Sequence, residues 1–172
     1  MPATGGRRRS AGRPLTAALL AALRARGIGI ASLTHAAGLS STGDAELDAA
    51  LPLPEAYDLP AETALAIART HARGGRVVAI GTSVVRALEG CAAANGGELR
   101  AGAGTTDLRI DRQFQRRIVD GLFTGLHEPT ASHFQLLQAF AGRGVIEQAY
   151  AHAAGRGYLY HEFGDSNLIL AA

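Results

Sequence analysis

Three short stretches carry most of the residues able to do chemistry. In GRVVAIGTSVVRALEG, Gly81, Thr82 and Ser83 stand where an apolar, β-branched run gives way to a helical pattern. A strand that hands such a triplet to a helix start places backbone N–H groups and hydroxyls at the positive end of the helix dipole, which suits a carboxylate or phosphate. The glycine lets a ligand approach the backbone, and Thr82 or Ser83 can either cap the helix or bond the ligand. The stretch has neither the Walker pattern nor the GxGxxG fingerprint. Arg86 follows one turn after Thr82, on the same side; it either reinforces an anion site or bridges Glu89 or another carboxylate.

The second stretch, VDGLFTGLHEPTASHF, is the densest polar group, with Asp120, Thr124, His127 and Glu128 ahead of Pro129. An imidazole at position 127 suits proton transfer near neutral pH, and a carboxylate can orient it or act as the base itself. The competing reading is a structural or exposed loop histidine. His133 falls in the following helical pattern, and His71 and His152 read as surface positions on helices. Glu55 and Tyr57 come from the proline-rich segment LPLPEAYDLP, and Asp165 from the turn FGDS, where it is also ordinary Asx-turn chemistry. No GxSxG nucleophile elbow is present.

The elements that must position these groups follow from periodicity. Thr16 is set to cap a helix in which Leu15, Leu19, Leu20 and Leu23 share a face and Gly27 stops the chain. Ile28 to Thr34 then reads as a strand, HAAGLSSTGD as a loop, AELDAAL as a short helix, and LPLPEAYDLP as an extended segment leading into a helix near Pro60. The next helix, AETALAIARTHARG, is amphipathic through Leu65 and Ala68 and ends at Gly74 and Gly75. Strand RVVAI and helix SVVRALEGCAAAN follow. Gly96 to Gly104 reads as a loop, TDLRI and QRRIVDGLFT as β segments around the turn DRQF, then two helices, TASHFQLLQAFAG and VIEQAYAHAAGR. The end, YLYHEFGDSNLIL, reads as strand, turn, strand. This order predicts an α/β fold with a mixed, partly parallel sheet and flanking helices, its first strands parallel.

Bulk properties set limits. The 172 residues fit one domain, expected at 15–172 behind a basic, flexible start at 1–14. With 47% hydrophobic and 19% charged residues the chain is no disordered tail. No run is apolar enough to span a bilayer, no signal-peptide pattern follows the start, and one cysteine, Cys91, fits a reducing cytoplasm. All 17 cationic side chains are arginine, and the net charge is +2. Arg7, Arg8 and Arg9, or the looser set Arg109, Arg112, Arg116 and Arg117, either pair with phosphates or form solvated surface.

Taken in order, GGRVVAIGTSVVRALE, TDLRI, VDGLFTGLHEP, AFAG with VIEQAY, and YLYHEFGDSNLIL resemble the later part of the S-adenosylmethionine:tRNA ribosyltransferase-isomerase family of queuosine biosynthesis. The resemblance runs from about Ser10 to Leu170 and is best from Gly74 onward. It implies a truncated member without the front of the α/β domain and without the family's inserted all-β domain. It implies a transferase and isomerase that takes S-adenosylmethionine as co-substrate and gives its ribosyl part to 7-aminomethyl-7-deazaguanine in tRNA. Epoxyqueuosine forms, and adenine and methionine leave.

Such chemistry needs a base near the carbon beside the sulfonium, groups for the methionine carboxylate, and a cleft for the modified base. On this resemblance, His127, Asp120 and Glu55 are the catalytic candidates, and Gly81, Thr82, Ser83, Arg86, Thr124 and Asp165 bind the donor. The implied partner is tRNA or another deazaguanine-containing substrate, with a further chain supplying the missing part as an added possibility, and no membrane. The sequence departs from the family pattern at Leu53 and Pro54, in the AAGLSSTGD loop after the retained His35, and at Gly125 and Glu128. These departures leave an alternative, a non-catalytic binding module or partner subunit of the same family. A nucleotide-binding α/β domain with no queuosine link explains the ordered motifs least well.

Overall fold

The computed structural model describes residues 14–36, 53–127, 132–160 and 164–170. Helix α1 (Ala17–Ala25) is followed by strands β1 (Thr34–Ala36) and β2 (Glu55–Leu59), helix α2 (Ala61–Ala72), strand β3 (Val78–Ile80) and helix α3 (Thr82–Ala94). Strands β4 (Gly102–Thr106) and β5 (Gly121–Gly125), helices α4 (Ser132–Leu137) and α5 (Arg143–Gly155), and strand β6 (Ser166–Leu170) complete the order.

The strands form two three-stranded sheets rather than one. The first runs β1-β2-β4 and is antiparallel throughout; the second runs β3-β5-β6, with β3 parallel to β5 and β6 antiparallel to it. The mixed, partly parallel α/β class holds. The first strands, expected at IGIASLT and RVVAI and parallel, do not pair: β1 and β3 lie in different sheets, and the extended connection between them forms β2, antiparallel to β1 with His35 opposite Tyr57.

Helix α3 joins the two sheets, packing on β1 and β4 on one side and on β3 and β5 on the other. Eight of its residues from Thr82 to Ala92 are therefore buried, including Val85, Leu88 and Cys91. These meet Leu59 from β2, Leu122 from β5 and Leu137 from α4 in one core. A helix covered on both flanks needs apolar or small residues on most of its circumference, as VVRALEGCAAA supplies.

Several expectations are corrected. Ile28 to Leu33 do not form a strand: only Thr34–Ala36 find a partner, and Ile28 and Ile30 lie exposed. Gly102–Gly104, expected in a loop, belong to the strand Gly102–Thr106 paired with Glu55–Leu59. Gly104 has a packing reason, since a Cβ there would run into the ring of Tyr57, whereas Gly102 sits at φ 116° with open space beside it. Of TDLRI only Thr106 is in a strand, and of QRRIVDGLFT only Gly121 onward. The turn at DRQF is present, with Gln113 N donating to Asp111 Oδ1 at 2.8 Å.

Helix α2 buries Thr63 and Ile67, four residues apart, and leaves Leu65 and Ala68 outside. Among the described residues of the helix expected over TASHFQLLQAFAG, only Ser132–Leu137 are α-helical, and Tyr158–Tyr160 form no strand. The cap by Thr16 is as expected, its Oγ1 accepting from Leu19 N at 3.1 Å, yet α1 has no buried residue. The segments AELDAAL and AAGLSSTGD, apart from Ala36, and Glu128 lie outside the described residues.

Candidate functional site

Strand β3 ends at Ile80, and the chain turns into α3 through Gly81 at φ 95° and ψ 146°, a backbone state that only glycine adopts without strain. Gly81 N donates to Phe123 O of β5 at 2.8 Å, and its carbonyl accepts from Val84 N and Val85 N. No side chain caps the helix. Thr82 and Ser83 are its first two residues, and Thr82 is buried. The bonds to the Gly81 carbonyl are the first of the helix itself, and with no side-chain cap the first-turn amides keep the free donors of a helix start.

Because β3 and β5 are parallel, their carboxyl ends coincide, and β5 delivers Thr124 and His127 beside the Gly81 turn. Buried Thr124 has its Oγ1 2.9 Å from His127 Nε2. The His127 amide donates to the Tyr150 hydroxyl at 3.1 Å, and its ring stacks on His133 with centroids 5.0 Å apart and planes 17° from parallel. Burial, and secondarily the neighbouring His133, pulls the His127 pKa down to about 4. At neutral pH the ring is an uncharged hydrogen-bonding group, not the near-neutral proton carrier expected from residue type alone. Burial likewise raises the Tyr150 hydroxyl, although the bond from the His127 amide opposes this.

Asp165 reaches the same end of the sheet, since its carbonyl accepts from Leu126 N at 3.1 Å. Its carboxylate accepts from Leu159 N at 2.9 Å, so the side chain closes a turn. Next to this end, an aromatic cleft of about 320 Å³ is lined by Phe134, Tyr150 and Tyr160, with Arg143 and Glu147 at its rim.

A second polar group lies one turn further along α3. Arg86 Nη1 is 2.9 Å from Glu55 Oε2, and His35 Nε2 is 3.2 Å from the same oxygen. The three side chains are 12%, 5% and 6% exposed, respectively. Arg86 Nε also donates to Leu108 O at 3.4 Å. Burial lowers the Arg86 pKa, and the carboxylates of Glu55 and Asp107 oppose the shift. The alternating pattern of β2 explains Glu55: the strand buries Glu55, Tyr57 and Leu59 on one face, toward α3.

Asp120 is not with His127. It precedes β5, whereas His127 follows it, and its carboxylate is held by Val77 N at 2.8 Å and His71 Nε2 at 3.2 Å. His71, expected as a simple surface histidine, is therefore partly buried against the Asp120 carboxylate. Sequence reasoning also missed Tyr150, which positions His127 from 23 residues away, and gave His35 no role beyond its place in a motif. Neither residue carries a local pattern that would have marked it. Among the described residues no group of three or more His, Cys, Asp or Glu side chains is placed to hold a metal ion. No described helix is long and apolar enough to cross a membrane.

Comparison with known proteins gives the family. A profile of the family described as "Queuosine biosynthesis protein" matches residues 7–169. The S-adenosylmethionine:tRNA ribosyltransferase-isomerase of Azoarcus sp. is 44% identical over 155 residues, covering 88% of this chain and 44% of the relative. The protein of the same name from Acaryochloris marina is 42% identical over 164 residues, 94% of this chain and 44% of the relative. The crystal structure of S-adenosylmethionine tRNA ribosyltransferase from Thermotoga maritima superposes with a TM-score of 0.78 at 34% identity, covering 94% of this chain and 52% of that one. The chain thus spans about half the length of the relatives it matches. On the family match and these identities together, the chain belongs to the queuosine biosynthesis protein family, the S-adenosylmethionine:tRNA ribosyltransferase-isomerases.

Proposed function

We propose that this chain binds S-adenosylmethionine as a ribosyl donor and serves its transfer and isomerisation onto 7-aminomethyl-7-deazaguanine in tRNA. The observation that carries this reading is the convergence of Gly81–Ser83, Thr124 with His127, and the Asp165 turn at the carboxyl end of the parallel β3-β5 pair. Ligands of α/β sheets bind outside the carboxyl ends of the strands. In this reading the Gly81 turn lets the donor approach the backbone, and Thr82, Ser83 and Thr124 supply hydroxyls around it. Arg86 takes the methionine carboxylate: its Nη2 is buried and has no hydrogen-bond partner among the described residues. His127 contributes an uncharged ring beside the ribose, and the aromatic cleft at Tyr150 receives a planar base by stacking. Glu55 acts from below, through the groups it touches. Asp120 supports the opposite end of β5.

The test is release of adenine and methionine from S-adenosylmethionine by the purified chain in the presence of tRNA carrying the aminomethyl base. Stoichiometric release is expected; none at saturating donor and tRNA overturns the reading.

A second reading, a binding module that works with another chain, has its own observation. Leu19, Ile28 and Ile30 near the start, and Val78, Leu168 and Leu170 on the outer strands β3 and β6, are exposed apolar residues. A partner covering either group would bury exposed apolar side chains. Sedimentation of the chain alone and with a separately expressed front half of a relative separates the two readings.

A further inference from the structure

The cluster of His35, Glu55 and Arg86 contains a contradiction in its hydrogen bonding. All three side chains are nearly enclosed, yet His35 Nδ1 and Nε2 and Arg86 Nη2 complete no hydrogen bond of good geometry among the described residues. Unsatisfied buried polar groups are costly and rare, so such a concentration at one place calls for a missing partner. Arginine offers only donors. The imidazole offers one donor and one acceptor, and its Nε2 is the nitrogen that faces the Glu55 carboxylate at 3.2 Å. A proton on Nε2 therefore has an acceptor in reach, and the lone pair is left on Nδ1.

An imidazole steered by a carboxylate on one nitrogen, with a bare lone pair on the other, is a general base. The other candidates are less well placed. Glu55 is already paired with Arg86 at 2.9 Å, Asp120 is bound to His71 and the Val77 amide at the other end of β5, and burial holds His127 in a weakly basic state. We propose that His35 is the proton acceptor of this site, that Glu55 sets its tautomer and steadies the imidazolium, and that Arg86 binds the donor's carboxylate next to it.

This rests on the ribosyl-donor reading above. The proton leaves the carbon beside the sulfonium for His35 Nδ1, and the C–H electron pair stays on that carbon, next to the positive sulfur. When the donor's carboxylate meets Arg86 Nη2, the Glu55 charge is left to balance the imidazolium, so the local sum of these four groups returns to zero after the transfer. One ligand then meets Nδ1 and Nη2, while Nε2 keeps facing Glu55.

The experiment uses the full chain labelled with ¹⁵N and titrated with S-adenosylmethionine in D₂O. Long-range ¹H–¹⁵N spectra report the His35 tautomer, and proton spectra report exchange of the donor's hydrogens beside the sulfonium. The expected result is an Nε2–H tautomer whose Nδ1 shift moves on donor addition, with exchange that falls at least 100-fold in His35→Gln and at least 10-fold in Glu55→Gln. Donor affinity should change less than threefold in His35→Gln. An Nδ1–H tautomer in the unaltered chain, or equal exchange rates in the unaltered chain and His35→Gln, overturns the proposal. The tautomer is measured without any variant, so it decides even if a substitution fails to fold. If the donor shifts the Thr82 and Ser83 amides but neither His35 nitrogen, the base assignment alone falls. If the donor shifts none of them, the donor reading itself falls.

Discussion

Arg86 on helix α3 and Glu55 on strand β2 meet at 2.9 Å, joining the helix that carries the Gly81 turn to the antiparallel sheet. Both side chains are nearly enclosed, so the pair acts without much screening by water. Removing one partner leaves an uncompensated buried charge. Arg86→Met should destabilise the chain by about 3–5 kcal/mol, and combining it with Glu55→Leu should recover most of the loss. Urea unfolding of the two single variants and the double variant measures this; additive losses would show that the charges are not coupled.

A second buried carboxylate has a different task. Glu89, 1% exposed, accepts from the backbone amides of Arg117, Ile118 and Val119 at 2.9–3.2 Å and so shapes the chain just before β5. Glu89→Ala should cost about 3 kcal/mol or more, because it strands several buried donors at once. Amide exchange at Ile118 and Val119 should accelerate more than exchange at Leu59 on the other sheet. Uniform acceleration would contradict a local role.

His127 gives the fold a pH dependence. Its folded pKa of about 4 lies below the ordinary 6.5, so the unfolded chain binds the extra proton between those values. The contribution is whole above pH 6.5 and is lost as pH falls through about 4; the shift corresponds to about 3 kcal/mol at most. Unfolding free energies at pH 7 and pH 4.5 should differ less in His127→Gln than in the unaltered chain. An unchanged difference would assign the pH dependence elsewhere.

Close approach of α3 to β4 depends on Gly90. A Cβ there would run into the Oγ1 and Cβ atoms of Thr106. The hydroxyl cannot simply swing away, since it accepts from Leu108 N at 3.1 Å. Gly90→Ala should therefore cost about 1–3 kcal/mol through overpacking, despite the better helix propensity of alanine. Increased stability in thermal unfolding would refute the contact.

Local features of the site were readable in the sequence, and pairings were not. The change from β-branched alternation to helical spacing located the Gly81 turn, and the spacing of Thr124 and His127 put them at one strand end. The partner of Arg86 was open between Glu89 and another carboxylate; register of β2 with β1 and β4 decides for Glu55, 31 positions earlier, while Glu89 turns to backbone amides. Gly102 to Gly104 resembles a loop because glycine is a poor strand former, and the Tyr57 ring across the sheet explains Gly104. Asp120 and His127 were joined by proximity in sequence, but a strand separates residues that it connects.

The most direct measurement follows the ribose itself. The chain is incubated with S-adenosylmethionine labelled in the ribose and with tRNA bearing 7-aminomethyl-7-deazaguanine. The account predicts label in the tRNA, with adenine and methionine released in equal amounts. Methylated tRNA with S-adenosylhomocysteine, or unlabelled tRNA with no adenine released at saturating donor, would contradict it.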